Sequence, residues 1–294
     1  MVEQLIRRGS TLFPIALLLL AMASFQSGAS IAKTMFPVVG AAGMVTIRIL
    51  FGTIILVFAL RPWRARITAA SWRPLAVYGV SLGVMNLFFY SALSRVPLGI
   101  AVALEFSGPL AVAVFASRRR IDFFWVVLAT AGLLLLLPIA HVSAGIDPVG
   151  VVYALAAGGC WALYIIFGQK AGADHGAQTV ALGSVISAIL VAPIGVVTAG
   201  TALLSRSVLL PGLAVGILST ALPYTLEMIA LTRLPTRTFG VLMSLEPAFG
   251  AFFGLVYLHE RLTVQQWTAI VLIIIASIGT TATVERKAPP PLPD

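Results

Sequence analysis

Apolar residues dominate this chain in runs of about twenty, and polar positions between the runs are few. A membrane-spanning helix needs ~20 mostly apolar residues, each rising ~1.5 Å, to cross the hydrocarbon. That ruler places ten spans, at 12–33, 38–60, 74–94, 98–117, 123–140, 148–168, 179–199, 208–230, 238–258 and 264–283. The longest connection between them is 61–73, which leaves no room for an inserted soluble domain. The first run follows Arg7 and Arg8 and holds small residues at Ala21–Ala23, as a signal peptide would. Its apolar stretch is long and nine spans follow, so it is read as a retained span. The expected fold is all-α and integral to the membrane, with ten transmembrane helices.

The charged positions are sided. With the N-terminus placed in the cytoplasm, fourteen of the nineteen Lys and Arg fall inside, among them Arg61, Arg64, Arg66 and Arg118 to Arg120. Four stay outside: Lys33, Arg95, Arg206 and Arg261. Basic residues gather in cytoplasmic loops, so both termini are expected there, with the Pro-rich stretch 288–294 as a cytoplasmic tail. Composition agrees with a membrane protein. The chain is 60% hydrophobic and 10% charged, against about 45–50% and about 25% in soluble domains. A water-soluble globular protein and a disordered chain are both excluded. The net charge of +9 is therefore topology, and no nucleic-acid partner is expected.

The chain also resembles itself. Residues 74–97 set against 212–235 share Leu75-Ala76-Val77 with Leu213-Ala214-Val215, and Ala92-Leu93-Ser94-Arg95-Val96-Pro97 with Ala230-Leu231-Thr232-Arg233-Leu234-Pro235. Leu104-Glu105 then aligns with Leu245-Glu246, and Trp125 with Trp267. Two halves follow, 1–143 and 144–287. Each has five spans, an odd number, so the halves enter the membrane from opposite sides. Such inverted repeats hold substrate near the bilayer midplane.

Ionisable groups inside spans are costly and mark function by default. Four stand out: Arg48, Glu105, Glu227 and Glu246. Glu105 and Glu246 are near mid-depth, whereas Glu227 is nearer the cytoplasmic end and could be an interfacial charge. A carboxyl held away from water suits proton coupling or binding of a substrate amine. The plain alternative is a structural Glu105 paired with Arg48. Prolines sharpen the picture, because Pro109, Pro223 and Pro247 each remove a helical hydrogen bond, freeing the carbonyls of Glu105, Ser219 and Met243. Further polar groups share helical faces: Asn86 with Tyr90, Thr220 with Tyr224 and Glu227, Gln26 with Ser30, and Trp161 with Tyr164. They line a cavity of amino-acid size or simply bond between helices. Gly79/Gly83, Gly212/Gly216 and Gly250/Gly254 have the spacing of close helix contacts.

Other chemistries find no support. No P-loop, HExxH, paired-Asp metal motif or GxSxG occurs, and the three histidines fall in separate loops. Cys160 is the single cysteine, which rules out an internal disulfide and a multi-cysteine metal site. No cofactor and no metal are expected. No stretch reads as a channel filter. An intramembrane enzyme or a structural membrane subunit remains the alternative of a different class.

Ten spans in two inverted halves, Glu246-Pro247 in span nine and the Ala-Leu-x-Arg-x-Pro repeat resemble the EamA-type drug/metabolite transporters. The resemblance runs from about residue 12 to 285 and is strongest over 96–106 and 218–240, with Ala21–Ser24, Gly28–Ser30 and Gly158–Trp161. It implies a secondary transporter of the bacterial inner membrane, exporting small amino acids such as L-threonine and L-homoserine by proton antiport. Another cargo is the alternative: an aromatic amino acid, a purine or a drug-like cation, or else uncoupled facilitation. The residue roles come from the reading of the spans. The expected substrate-binding residues are Glu105, Arg48, Asn86, Tyr90, Tyr224, Trp161 and Gln26. The expected proton-coupling residues are Glu105, Glu246 and Glu227. The partners expected are the amino acid, protons and the lipid bilayer, and the sequence leaves the oligomeric state open.

Overall fold

A computed structural model of the chain describes residues 2–116, 120–136, 146–233 and 242–283, and among them every regular element is helical. The elements are α1 (Val2–Thr34), α2 (Phe36–Leu60), α3 (Ala69–Leu93), α4 (Leu98–Glu105), α5 (Ser107–Ala116), α6 (Arg120–Leu136), α7 (Pro148–His175) and α8 (Gln178–Ala199). They are followed by α9 (Arg206–Gly216), a π turn (Ile217–Ala221), α10 (Leu222–Arg233), α11 (Glu246–Leu258) and α12 (Val264–Thr283). Six apolar stretches have membrane-crossing length: Leu12–Thr34, Phe36–Leu60, Ala69–Leu93, Pro148–His175, Gln178–Leu204 and Arg206–Glu227. Four shorter apolar helices accompany them, at Leu98–Val112, Phe123–Leu135, Glu246–Leu258 and Val264–Ala276.

Helix coincides with each predicted span, but three spans are interrupted, the third, 238–258, by a turn at Ser244 and Leu245. The span predicted at 98–117 breaks at Phe106, between α4 and α5. The span predicted at 208–230 contains the π turn. Each break precedes a proline, Pro109, Pro223 or Pro247, whose missing N–H and bulky ring disrupt the preceding turn. Boundaries shift where caps decide them. Helix α3 begins at Ala69 rather than 74, because Thr68 and Ser71 form a reciprocal capping box. Helix α7 continues past 168 to His175 and stops at Gly176, whose φ of 56° suits a residue lacking Cβ. Residues 137–140, His141, 238–241, Arg237, Pro235, Arg286, Lys287 and the tail 288–294 lie outside the described residues.

The helices pack in pairs, antiparallel for α2–α8, α4–α11, α6–α12 and α3–α7 and parallel for α3–α8. Helix α2 lies along α8, with Thr46 Oγ1 donating to the Val191 carbonyl and Thr53 Oγ1 to that of Ser184. Helix α4 lies along α11, where a Cβ on Gly99 would come within 2.6 Å of Ala251 Cα, and Gly250 faces Val102. Helix α6 pairs with α12, and α3 pairs with α7 and α8. Helix α1 covers the π turn, α10 and α11. The glycines at 79, 83, 212, 216, 250 and 254 do sit in close helix contacts, as small residues do where van der Waals contact drives association.

One end of the bundle gathers several turns. Lys33 Nζ donates to the Val96 carbonyl at 2.8 Å and pairs with Glu260 Oε1 at 2.7 Å, and Glu260 Oε2 accepts from Leu98 N–H at 2.7 Å. Gly254 gives Glu260 the room to fold back. At the same end Arg95 pairs with Asp147, the N-cap of α7, at 2.8 Å.

Candidate substrate site

Arg48 is among the largest fully buried side chains of the described residues, held mid-way along α2. Its Nε donates to Thr220 Oγ1 at 3.1 Å, and its terminal nitrogens donate to the Tyr90 hydroxyl at 3.0 Å and to Asn86 Oδ1 at 2.6 Å. The guanidinium also packs against the rings of Phe25 and Tyr90, 5.3 and 5.1 Å from their centroids. Asn86 is fixed in turn by donating to the Leu82 carbonyl at 2.7 Å. Gly52 and Gly216 let the π turn and α9 approach α2 closely enough for Thr220 to reach Nε.

The π turn is held from the opposite side. Ser24 Oγ of α1 donates to the Leu218 carbonyl at 2.7 Å, and Gly28 leaves space for Ser219. A π turn leaves backbone groups without their usual helical partners, and at membrane depth these must be met by protein. Ser24 meets one of them.

Glu105 ends α4 and Glu246 begins α11, so both stand at helix interruptions. Both are buried. The α4–α11 register sets Leu98 against Gly254 and Val102 against Gly250. Continued by one turn, it sets Glu105 level with Glu246. Glu246 lies within electrostatic reach of both Glu105 and Glu227 of α10. Among the described residues neither Glu105 nor Glu246 makes an ion pair or a side-chain hydrogen bond. The Glu105–Arg48 pair expected as the structural alternative is therefore absent. Arg48 spends its bonds on neutral partners.

The wall beside Glu105 is backbone packed on backbone. A Cβ on Gly158 of α7 would stand 2.7 Å from the Glu105 carbonyl oxygen, and Gly108 abuts the Gly158 carbonyl. Trp161, one turn along α7, meets Phe106 edge to face at 5.7 Å. Tyr224 and Glu227 are partly buried on α10, and both are within electrostatic reach of Tyr164, whose ring stacks on Tyr78 at 4.8 Å. Gln26 is buried on α1, on the stripe between Met22 and Lys33, and neither amide atom has a hydrogen-bond partner among the described residues. Ser30 bonds to the Gln26 backbone carbonyl, so that expected face pair is a local contact.

The sequence-predicted residues thus fall into two groups. Arg48, Asn86, Tyr90 and Tyr224 gather around α2 and α3, and Glu105, Glu246 and Trp161 around α4, α7 and α11. Sequence reasoning did not single out Ser184, Ser187, Tyr78 or Glu260. Ser184 and Ser187 stand i, i+3 in an apolar helix, which was a visible signal. It is the same signal that locally bonded serines give.

A small cavity lies against Arg48, lined by Asn86, Ser184, Ser187, Thr220 and Tyr224 among others, with a volume of about 10 Å³. That holds about one water molecule.

Comparison with known proteins agrees with this architecture. The EamA-like transporter family model matches residues 148–282. The threonine/homoserine exporter RhtA of Salmonella typhimurium is 57% identical over 274 residues, 93% of each chain. The exporter of that name from Escherichia coli (strain K12) is 56% identical over 283 residues, 96% of each chain. An uncharacterized transporter of Bacillus subtilis, YwfM, is 25% identical over 226 residues, 74% of this chain and 76% of that protein. A solved crystal structure superposes with a TM-score of 0.64 over 94% of this chain and 96% of that one, at 21% identity, and speaks for the fold. With relatives this similar along nearly its whole length, the chain belongs to the EamA-like transporter family, and it is a multi-pass membrane transporter of small molecules rather than an enzyme.

Proposed function

We propose that this protein exports L-threonine, L-homoserine and related small amino acids across the bacterial inner membrane, by proton antiport with alternating access. The cargo rests on the two exporters to which the chain is more than half identical. The observation that carries the mechanism is the pair of buried carboxyls, Glu105 and Glu246, level with each other at two helix breaks and, among the described residues, without an ion pair or side-chain hydrogen bond. The substrate amine pairs with Glu105, with Glu246 as the second acidic partner and Glu227 as a further proton carrier. Arg48, Asn86, Tyr90 and Tyr224 face the carboxylate end, and Trp161 and Gln26 complete the walls. Keeping a lone carboxylate charged in a dry bundle is costly. Exchange of the substrate amine for a proton at this one group therefore couples the two fluxes.

The chain is read as ten spans in two inverted halves, 1–143 and 144–287, with both termini and the tail 288–294 cytoplasmic. The packing supports this reading. An inverted two-fold exchanging span n with span n+5 pairs spans 2 and 7, 4 and 9, and 5 and 10 with their own equivalents. These are the observed contacts α2–α8, α4–α11 and α6–α12. The same operation exchanges span pair 3–6 with 8–1, and α3–α7 and α1–α10 are both extensive contacts. The Lys33–Glu260 latch ties α1, α4 and α11 at the end read as periplasmic, and is taken as the closed outer gate.

The test is labelled-threonine flux in proteoliposomes, with and without an imposed pH gradient, competed by unlabelled homoserine. Gradient-driven flux that homoserine blocks is the expected result. Exchange of other metabolites without threonine overturns the cargo, and flux indifferent to the gradient overturns the coupling.

A further inference from the structure

Serine and threonine in a membrane helix ordinarily donate to the carbonyl one turn back. Several here do so: Ser27, Ser30, Ser91, Thr198, Thr225 and Thr268 bond to the carbonyls of Ala23, Gln26, Leu87, Ile194, Ala221 and Val264. Ser24, Thr46 and Thr53 donate instead to a carbonyl of a neighbouring element. Ser184 and Ser187 of α8 do neither. Both are buried, at 2% and 0% exposure, and neither hydroxyl has a hydrogen-bond partner among the described residues. Each forgoes a local acceptor and faces the same cavity, beside Arg48.

The other side of that cavity is equally specific. A guanidinium has five N–H groups. Arg48 uses one on each of its three nitrogens, toward Thr220, Tyr90 and Asn86. The second hydrogen of each terminal nitrogen is left over. Arg48, with donors that these three bonds leave unused, thus lines the same void as the two unpartnered hydroxyls. All three partners of Arg48 are neutral, so its charge is also unmatched at close range.

We infer that Ser184 and Ser187 of α8, together with Arg48, form the subsite that holds the carboxylate of the transported amino acid. A carboxylate offers about four lone-pair sites on two oxygens, enough for two guanidinium and two hydroxyl donors. It also supplies the negative charge that a water in the same place cannot. The inference rests on the amino-acid reading above and deepens it. Arg48 and Glu105 are within electrostatic reach but not in contact, and a zwitterion bridges that gap with its carboxylate at α8 and its amine at α4. Because the void admits about one water, substrate enters by widening it, with α8 moving against α2 and α3. Glycines already line that interface, Gly79 against Gly183 and Gly83 against Ser187.

The experiment compares wild type with Ser184→Ala, Ser187→Ala and the double variant in proteoliposomes. Labelled threonine is competed by unlabelled threonine or by threoninol, which keeps the amine and hydroxyl but lacks the carboxylate. Ser91→Ala, at a locally bonded serine, is the control. In the double variant KM for threonine rises at least about tenfold, the energy of about one charge-assisted hydrogen bond. Maximal flux is kept, and the preference for threonine over threoninol collapses. In the second measurement Ser187→Cys is placed on a Cys160→Ser background, since Cys160 is the single native thiol. Threonine slows alkylation of the new thiol and threoninol does not. Unchanged KM and unchanged preference in the double variant, with only thermal stability altered, overturn the inference and assign the hydroxyls to a structural water. If wild type moves no threonine at all, the amino-acid reading itself has failed, and that result is read before any variant is made.

Discussion

The bundle carries its buried charge in two places, and the two are built in opposite ways. Around Arg48 the cation is saturated on one side: three hydrogen bonds to neutral side chains and two aromatic rings fix it where α2, α3 and the π turn meet. Around Glu105 and Glu246 the carboxyls stand at broken helix ends without ion pair or side-chain hydrogen bond among the described residues. A buried cation with fixed partners is a structural post that also shows charge to a ligand. Buried carboxyls without partners have no structural reason to be charged, and their capacity is left for cargo and proton. The difference separates a residue whose loss unfolds the site from residues whose loss uncouples it.

Arg48→Ala should have the largest effect. It strands Asn86, Tyr90 and Thr220, and the cost should be about 2 kcal/mol of stability with transport lost, measured by thermal unfolding in detergent beside a flux assay. Arg48→Lys should recover little, because an ammonium cannot reach three partners in one plane. Glu105→Gln comes next. It should keep stability within about 1 kcal/mol, since no bond is broken, while flux loses its response to a pH gradient. Wild-type pH dependence in that variant would show that the carboxyl contrast has no functional meaning. Glu246→Gln should weaken the response without removing it. A third class of effect belongs to the latch. Lys33→Met should change stability by less than about 1 kcal/mol, because the pair is partly exposed. It should nonetheless raise labelling of a cysteine placed at Val96 from the outer face. The smallest effect is at Asp147, whose carboxyl is held below the usual range by the hydrogen bond from Arg95 and by the Val149 N–H. A lowered folded-state value gives stability that is present at neutral pH and lost as pH falls through that value. Asp147→Asn should flatten this slope in the acid range of thermal unfolding, and a retained slope would assign it to another carboxyl.

Much of this was legible in the sequence. Apolar runs of membrane length placed helices at each predicted span, because in lipid a backbone has little choice but to bond within its own segment. The cost of charge in hydrocarbon marked Arg48, Glu105, Glu227 and Glu246 before any contact was known. Prolines at 109, 223 and 247 marked the broken turns. Glycine spacing marked the close crossings, since without a hydrophobic drive only small residues bring helices near enough.

What the sequence did not hold was partnership. Arg48 and Glu105 read as a possible ion pair, and only the packing of α3 and the π turn showed that Asn86, Tyr90 and Thr220 take the guanidinium instead. Ser187 and Ser91 look alike as letters, yet one bonds to its own helix and the other faces a cavity. Lys33 and Glu260 are 227 residues apart and meet only because α1, α4 and α11 end together. Span position follows from local transfer energy, which each window of residues carries by itself. Hydrogen-bond partners follow from helix register and rotation across the bundle, which no single window contains.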